Sequence, residues 1–300
     1  MNRSLTVFLL SFVLIACCSM LPHSASAQGP MPVVVSILPQ KYFVEKIGGS
    51  AVDVEVMVPA GATPEQYEPK PKQMTALGKA KIYFALGVPF ETIWLSKIAA
   101  ANPKMLIVHT ERDIEKREME AHSHGHEAGA GEAHGEHEIA DPHVWLSPPL
   151  VMLQARAIFV ALAANDPHNR QAYETNYKNF ISELTDLDMS ISRLFPSGGG
   201  FMVFHPAWGY FADAYGLKQF PVEIEGKEPK ARDLDKLIKE AKELKIKTIF
   251  VQPQYSPRSA QAIADAIEGK LIFADDLAPD WANNLRQVAG QIAASVGGQQ

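Results

Sequence analysis

Beyond its first stretch, the chain has no cysteine. Both of its two cysteines, Cys17 and Cys18, lie near the N-terminus. A mature protein without cysteine uses no disulfide, so core burial alone must hold it. Roughly 270 mature residues suffice for that, as one large domain or two medium ones. An excess of basic charge is also missing. The net charge is −6, which argues against a broad nucleic-acid-binding face and excludes nucleic acid from the expected partners. No His-Glu-x-x-His and no Gly-x-Ser-x-Gly occurs, so the usual signatures of a zinc hydrolase or a serine hydrolase are absent. After the N-terminus, no apolar run reads as long enough to cross a membrane.

That N-terminus is distinctive. Arg3 precedes an almost wholly apolar Leu5 to Leu21, and Ala25-Ser26-Ala27 places small residues before Gln28. This reads as a secretory signal peptide over 1–27, removed on export, and a periplasmic location follows. A second reading makes Leu14-Ile15-Ala16-Cys17 a lipobox, with the protein anchored as a lipoprotein through Cys17.

The rest alternates short apolar runs with amphipathic ones. Strands are expected at 33–38, 52–58, 82–86 and 105–109, with helices at 42–47, 72–81 and 90–101 between them. Strand–helix alternation with short loops implies parallel strands joined by crossover helices. Asp166-Pro167 is a helix start signal. Tyr173, Tyr177, Phe180, Leu184, Leu187, Ile191 and Leu194 follow at steps of four and three, which predicts one long helix over 166–195. Alternation then resumes, with strands at 201–204, 220–224, 248–251 and 271–274 and helices at 207–215, 234–244, 258–267 and 281–296. The fold expected is α/β, with two lobes, each a mostly parallel sheet flanked by helices, on one rigid helix. The divisions are 28–150 for the first lobe, 151–197 for the connecting segment and 198–300 for the second.

Ligands in open parallel sheets gather beyond the carboxyl ends of strands. His205 follows one predicted strand, Asp275 another, and Glu65 lies in the turn after a third. His143 sits in Asp141-Pro142-His143-Val144-Trp145, ahead of the predicted long helix. Two imidazoles and two carboxylates facing across a cleft make a four-ligand shell for a divalent metal, with zinc the default for N/O donors. Asp276, next to Asp275, is an equal alternative for the fourth place.

Residues 111–141 break the alternation with Glu, Ala, Gly and His. His122, His124, His126, His134 and His137 fall within sixteen residues. Such imidazole-rich tracts bind Zn²⁺, Cu²⁺ or Ni²⁺ weakly at several sites, so these five form an auxiliary set of metal donors.

Taken together, several motifs resemble one family. They are Phe43-Val44-Glu45-Lys46-Ile47-Gly48-Gly49, Val58-Pro59-Ala60-Gly61-Ala62-Thr63-Pro64, Tyr67-Glu68-Pro69, Asp141-Pro142-His143-Val144-Trp145, Phe204-His205-Pro206-Ala207-Trp208-Gly209-Tyr210-Phe211 and Phe250-Val251-Gln252-Pro253-Gln254. The chain resembles, over about 33–297, the solute-binding proteins of ABC-type zinc and manganese uptake systems, the zinc-uptake branch in particular. The resemblance implies two α/β lobes on a backbone helix, with the metal between them. It implies capture of extracytoplasmic Zn²⁺ without catalysis, delivery to the membrane permease of an ABC importer, and a monomer. His143 and His205 match the family's second and third ligands, and Asp275 matches its fourth. The first ligand is usually histidine, and Glu65 stands there instead. Direct ligation by Glu65 is the favoured reading; a water-filled position, or an imidazole from the His-rich tract, are the others. The same fold binding Mn²⁺ or Fe²⁺ is the alternative, ahead of a secreted zinc hydrolase or a lipid-anchored adhesin.

Overall fold

The architecture follows from a computed structural model, which describes residues 29–119, 140–224 and 226–297. The expected signal peptide, Cys17 and all five histidines of the tract lie outside the described residues.

The first sheet contains β1 (Met31–Val35), β2 (Val52–Val56), β3 (Ile82–Ala85) and β4 (Leu106–His109). Its order is β2-β1-β3-β4, and every pairing is parallel. Helices α1 (Leu38–Gly48), α2 (Pro71–Leu77) and α3 (Pro89–Ala101) make the connections. The second sheet repeats the plan with β5 (Gly199–Val203), β6 (Leu217–Pro221), β7 (Thr248–Val251) and β8 (Lys270–Phe273), ordered β6-β5-β7-β8 and again parallel. Its helices are α6 (Gly209–Ala214), α7 (Ala231–Glu243), α8 (Arg258–Ala266) and α9 (Trp281–Gly297). Central strands β3 and β7 are buried at every position, as strands covered on both faces must be.

Two helices run between the sheets: α4 (Pro148–Asn165) and α5 (Arg170–Ser192). Helix α5 has 23 residues and spans about 35 Å. Tyr173, Phe180, Leu184, Leu187 and Ile191 form its buried stripe, and it packs on α1 and α4 in the first lobe and on α9 in the second. It starts later than the sequence suggests. Asp166 caps a single 3-10 turn, Pro167–Asn169, and its carboxylate also accepts from the Tyr173 hydroxyl at 2.7 Å. It also ends sooner, at Ser192.

Helix α4 is the element that periodicity did not reveal. It is apolar around much of its circumference, so no single stripe stands out. Its 18 residues are long and apolar enough to cross a membrane by length and composition, which corrects the expectation that no such run lies beyond the N-terminus. Val151, Ala155, Ile158 and Leu162 are fully buried, and the helix packs along α5 and α1 as a core element.

One hydrophobic core runs from the first sheet through α4 and α5 to the inner face of the second sheet, and a smaller cluster around Met202, Leu237, Ile249 and Ile263 covers the outer face. A continuous apolar core between two lobes resists the free hinge motion that small polar domain contacts permit. The carboxyl ends of the strands carry the residues of interest.

Candidate metal site

In both sheets the chain leaves its first strand toward one neighbour and returns on the other side, so a crevice opens at the carboxyl ends. His205 comes two residues after β5, where Gln252 holds its backbone from both sides: the His205 N–H donates to Oε1 at 3.2 Å, and Gln252 Nε2 donates to the His205 carbonyl at 2.8 Å. His143 begins a 3-10 turn, Val144–Leu146, whose Trp145 is fully buried. Trp145 Nε1 donates to the Asp276 carbonyl at 2.7 Å, and Trp281 Nε1 donates to the Trp145 carbonyl at 2.8 Å. That chain of bonds ties the His143 turn to the loop after β8. Glu65 follows Pro64, whose carbonyl accepts from the Phe90 N–H at 3.0 Å at the start of α3.

These three loops bring Glu65, His143 and His205 together, with ligand atoms all within 4.8 Å of one another. The two imidazole Nε2 atoms stand 3.3 Å apart. Glu65 Oε1 lies 4.0 Å from His143 Nε2 and 3.8 Å from His205 Nε2. Two nitrogens sharing a tetrahedral ion at bond lengths of about 2.0–2.1 Å stand about 3.3–3.4 Å apart. The histidine pair already has that separation, and Glu65 is about half an ångström too far for the same geometry.

The far side of each ring is held by a carboxylate. His143 Nδ1 donates to Asp141 Oδ1 at 2.7 Å, and His205 Nδ1 donates to Glu223 Oε2 at 2.8 Å. Carboxylate acceptors place the hydrogen on Nδ1 and leave the Nε2 lone pairs turned inward, as in carboxylate–histidine–metal arrangements. Tyr255 stacks on the His205 ring with centroids 5.0 Å apart. Two inward lone pairs repel, and a cation between them relieves this. A proton also does so. The His205 pKa is raised: desolvation opposes its charge, but the hydrogen bond and charge of Glu223, with Glu65 and Asp276 behind them, outweigh it.

The two aspartates after β8 part company. Asp275 Oδ1 accepts from Gln254 Nε2 at 2.8 Å and from the Leu277 N–H at 3.0 Å, so that oxygen serves its own loop. Asp276 is the buried one. Its Oδ1 has no hydrogen-bond partner, and burial pushes its carboxyl up to about 6 against the pull of His143 and His205. A buried carboxyl left without a partner costs stability unless a charge meets it. Oε2 of Glu65 is likewise buried and unpartnered.

Asp141 and Glu223 were absent from the sequence-derived set. Asp141 was within reach, two residues before His143 in the same motif. Glu223 was hidden by the strand bounds: the strand expected at 220–224 contains it, whereas β6 ends at Pro221 and leaves Glu223 two residues beyond.

A family model for the periplasmic zinc-uptake complex component A matches residues 33–295. The high-affinity zinc uptake system protein ZnuA of Bacillus subtilis (strain 168) is 32% identical over 268 residues, covering 86% of this chain and 83% of that protein. The manganese ABC transporter substrate-binding lipoprotein PsaA of Streptococcus mitis is 28% identical over 284 residues, with 91% and 89% covered. A crystal structure of ZnuA superposes with a TM-score of 0.82 at 43% identity, covering 89% of this chain and 99% of that one.

Proposed function

This chain belongs to the periplasmic zinc-uptake component A family, and from that premise we propose that it captures one extracytoplasmic Zn²⁺ through Glu65, His143 and His205 and delivers it to an ABC importer. Asp276 is proposed as the fourth group. It replaces Asp275, whose Oδ1 already serves Gln254 and Leu277. The observation that carries the reading is the 3.3 Å between the two Nε2 atoms, each ring held from behind by a carboxylate.

Zinc is favoured over Mn²⁺ or Fe²⁺. Two imidazoles at a tetrahedral separation suit a four-coordinate ion, whereas manganese favours six, mostly oxygen, ligands. The buried Asp276 and the partly buried Glu65 carboxyl groups offset the ion's charge in the cleft. With Asp276 as the fourth donor the shell is closed and leaves no position for a reacting water, so the chemistry is binding and release without turnover.

The divisions 28–150, 151–197 and 198–300 describe the working parts, with α5 as the rigid member. The protein is exported through the 1–27 signal and acts in the periplasm as a monomer; anchoring through Cys17 is the other route to the same side of the membrane. The partner is the importer's membrane permease, which must distort the site to extract the ion. The histidines at 122, 124, 126, 134 and 137 gather metal near the cleft by raising its local concentration.

Competition titration of the metal-free protein against a zinc chelator tests this. His205→Ala weakens Zn²⁺ binding by more than about 100-fold. Parent-like affinity in that variant contradicts the assignment.

A further inference from the structure

Arg117 stands just before the segment that carries the histidine tract, and Asp141 stands just after it. The two ends are clipped together. Glu118 and Ala140 form an antiparallel bridge, and the Asp141 N–H donates to the Arg117 carbonyl at 2.9 Å. Both ends are also fastened to α6 in the opposite lobe. The Arg117 N–H donates to the Tyr210 hydroxyl at 3.0 Å, and that hydroxyl donates to the Asp141 carbonyl at 3.0 Å. Arg117 Nε lies 3.2 Å from Asp213 Oδ2, and its Nη1 lies 4.0 Å from Asp141 Oδ2. The guanidinium also rests against the Tyr210 ring, 5.9 Å from its centroid.

The fit of this contact depends on Gly209, the first residue of α6. A Cβ there would meet Arg117 Nη1 at 1.6 Å and Asp141 Oδ2 at 2.9 Å. Helix α6 therefore receives the guanidinium only because that position carries no side chain. Asp141 is the same residue whose other oxygen accepts from His143 Nδ1 and from the His143 N–H at 3.0 Å.

We propose that Arg117, seated on Gly209 and bound to Tyr210 and Asp213, is an interlobe clasp that positions Asp141 and, through it, the His143 ligand, so that opening the clasp releases the metal. The inference rests on the zinc-site reading and deepens it. Arg117 touches no metal; it is a positioning residue. At 4.0 Å the guanidinium acts on the Asp141 carboxylate by charge, while the backbone bond between Arg117 and Asp141 fixes their spacing. Asp141 then holds the imidazole, and this tier of contacts sets ligand orientation and metal retention. Because Tyr210 and Asp213 belong to the second lobe, separating the lobes pulls first on Arg117. Permease-driven separation would thus loosen His143 before any metal bond is strained.

The test compares zinc dissociation rates in the parent, Arg117→Gln, Gly209→Ala, Asp141→Asn and the Arg117→Gln/Asp141→Asn double variant. Asp213→Asn, at the exposed edge of the clasp, serves if either of the first two fails to fold. Dissociation should quicken by about 5- to 30-fold in Arg117→Gln and Gly209→Ala, with association little changed. In the double variant, adding Arg117→Gln to Asp141→Asn should cost little more than Asp141→Asn alone, since the arginine acts through the aspartate. Parent-like release rates, or additive losses in the double variant, overturn the clasp. A readout without metal separates this failure from failure of the zinc reading. In the apo protein, amide exchange at Asp141 should be faster in Gly209→Ala than in the parent, and unchanged exchange overturns the clasp even if zinc proves not to be the cargo.

Discussion

His143 and His205 come from opposite lobes, 62 residues apart in sequence, and their Nε2 atoms stand 3.3 Å apart. Nothing local joins them. The approach is set by two separate anchors: the Trp145–Asp276 and Trp281–Trp145 bonds behind one, and the Gln252 bracket behind the other. Each ring is then turned by its own carboxylate.

Glu223 orients His205, so Glu223→Gln should weaken zinc binding about 10- to 100-fold while leaving the fold intact. An amide can accept from Nδ1–H through its oxygen, but it brings no negative charge to strengthen the imidazole as a donor. Competition titration with circular dichroism as a control measures both halves of this expectation. Unchanged affinity would mean that the 2.8 Å contact has no bearing on the metal.

The neighbouring aspartates should behave unequally. Asp276→Asn is expected to reduce zinc affinity by about 10-fold or more, because it removes a buried charge facing the ion. Asp275→Asn should mainly loosen the loop that Asp275 Oδ1 caps through Leu277, with a smaller effect on affinity. Isothermal titration of the two variants side by side decides the order.

That pair also marks where the sequence stops being informative. Strand ends were legible from the alternation of apolar runs and turns, and with them the region where His205 and an aspartate belong. Which of two consecutive aspartates turns inward depends on the backbone path after β8, which Trp145, Gln254 and Asn284 hold from other parts of the chain. The stripe of α5 was readable because one face is apolar and the rest polar. Its start was misread because Asp166-Pro167 signals any helical turn, including the 3-10 turn that precedes α5. Helix α4 escaped because its exposed side also carries apolar residues, Leu153 and Val160 among them, which erases the periodicity that reveals a helix. Glu65 in place of histidine was plain in the sequence, but its distances to His143 and His205, 4.0 and 3.8 Å, were not.

Acid and base should act in opposite directions on the apo and loaded forms. The His205 pKa is raised in the fold, so its stabilising contribution is present below about 6.5 and is lost as pH rises through the folded value. Asp276, pushed up to about 6 from 3.8, keeps its proton in the fold where the unfolded chain has lost it, so it costs the apo fold stability as pH rises from about 4 to about 6 and no more beyond that. The apo protein should therefore lose thermal stability as pH rises, first through Asp276 between about 4 and 6 and then through His205 above about 6.5. Zinc needs both deprotonated, so its affinity rises over the same range. The gap between apo and zinc-loaded melting temperatures should widen with pH. A gap that is flat or narrowing would contradict these assignments.

Away from the site, Gly199 opens β5 with φ +143, and a Cβ there would lie 2.0 Å from Val296 Cγ1 in α9. Gly199→Ala should destabilise the second lobe by about 1–3 kcal/mol through overpacking and backbone strain. Urea denaturation measures the loss, and the variant that remains folded should keep parent zinc affinity.

The central claim is a single ion shared across the lobes, and zinc-edge anomalous diffraction from crystals of the protein with one equivalent of Zn²⁺ tests it most directly. The account predicts one strong peak about 2.0–2.2 Å from Nε2 of His143, Nε2 of His205 and an oxygen of Glu65. A zinc peak bound elsewhere, with the cleft between those two histidines empty, would contradict it.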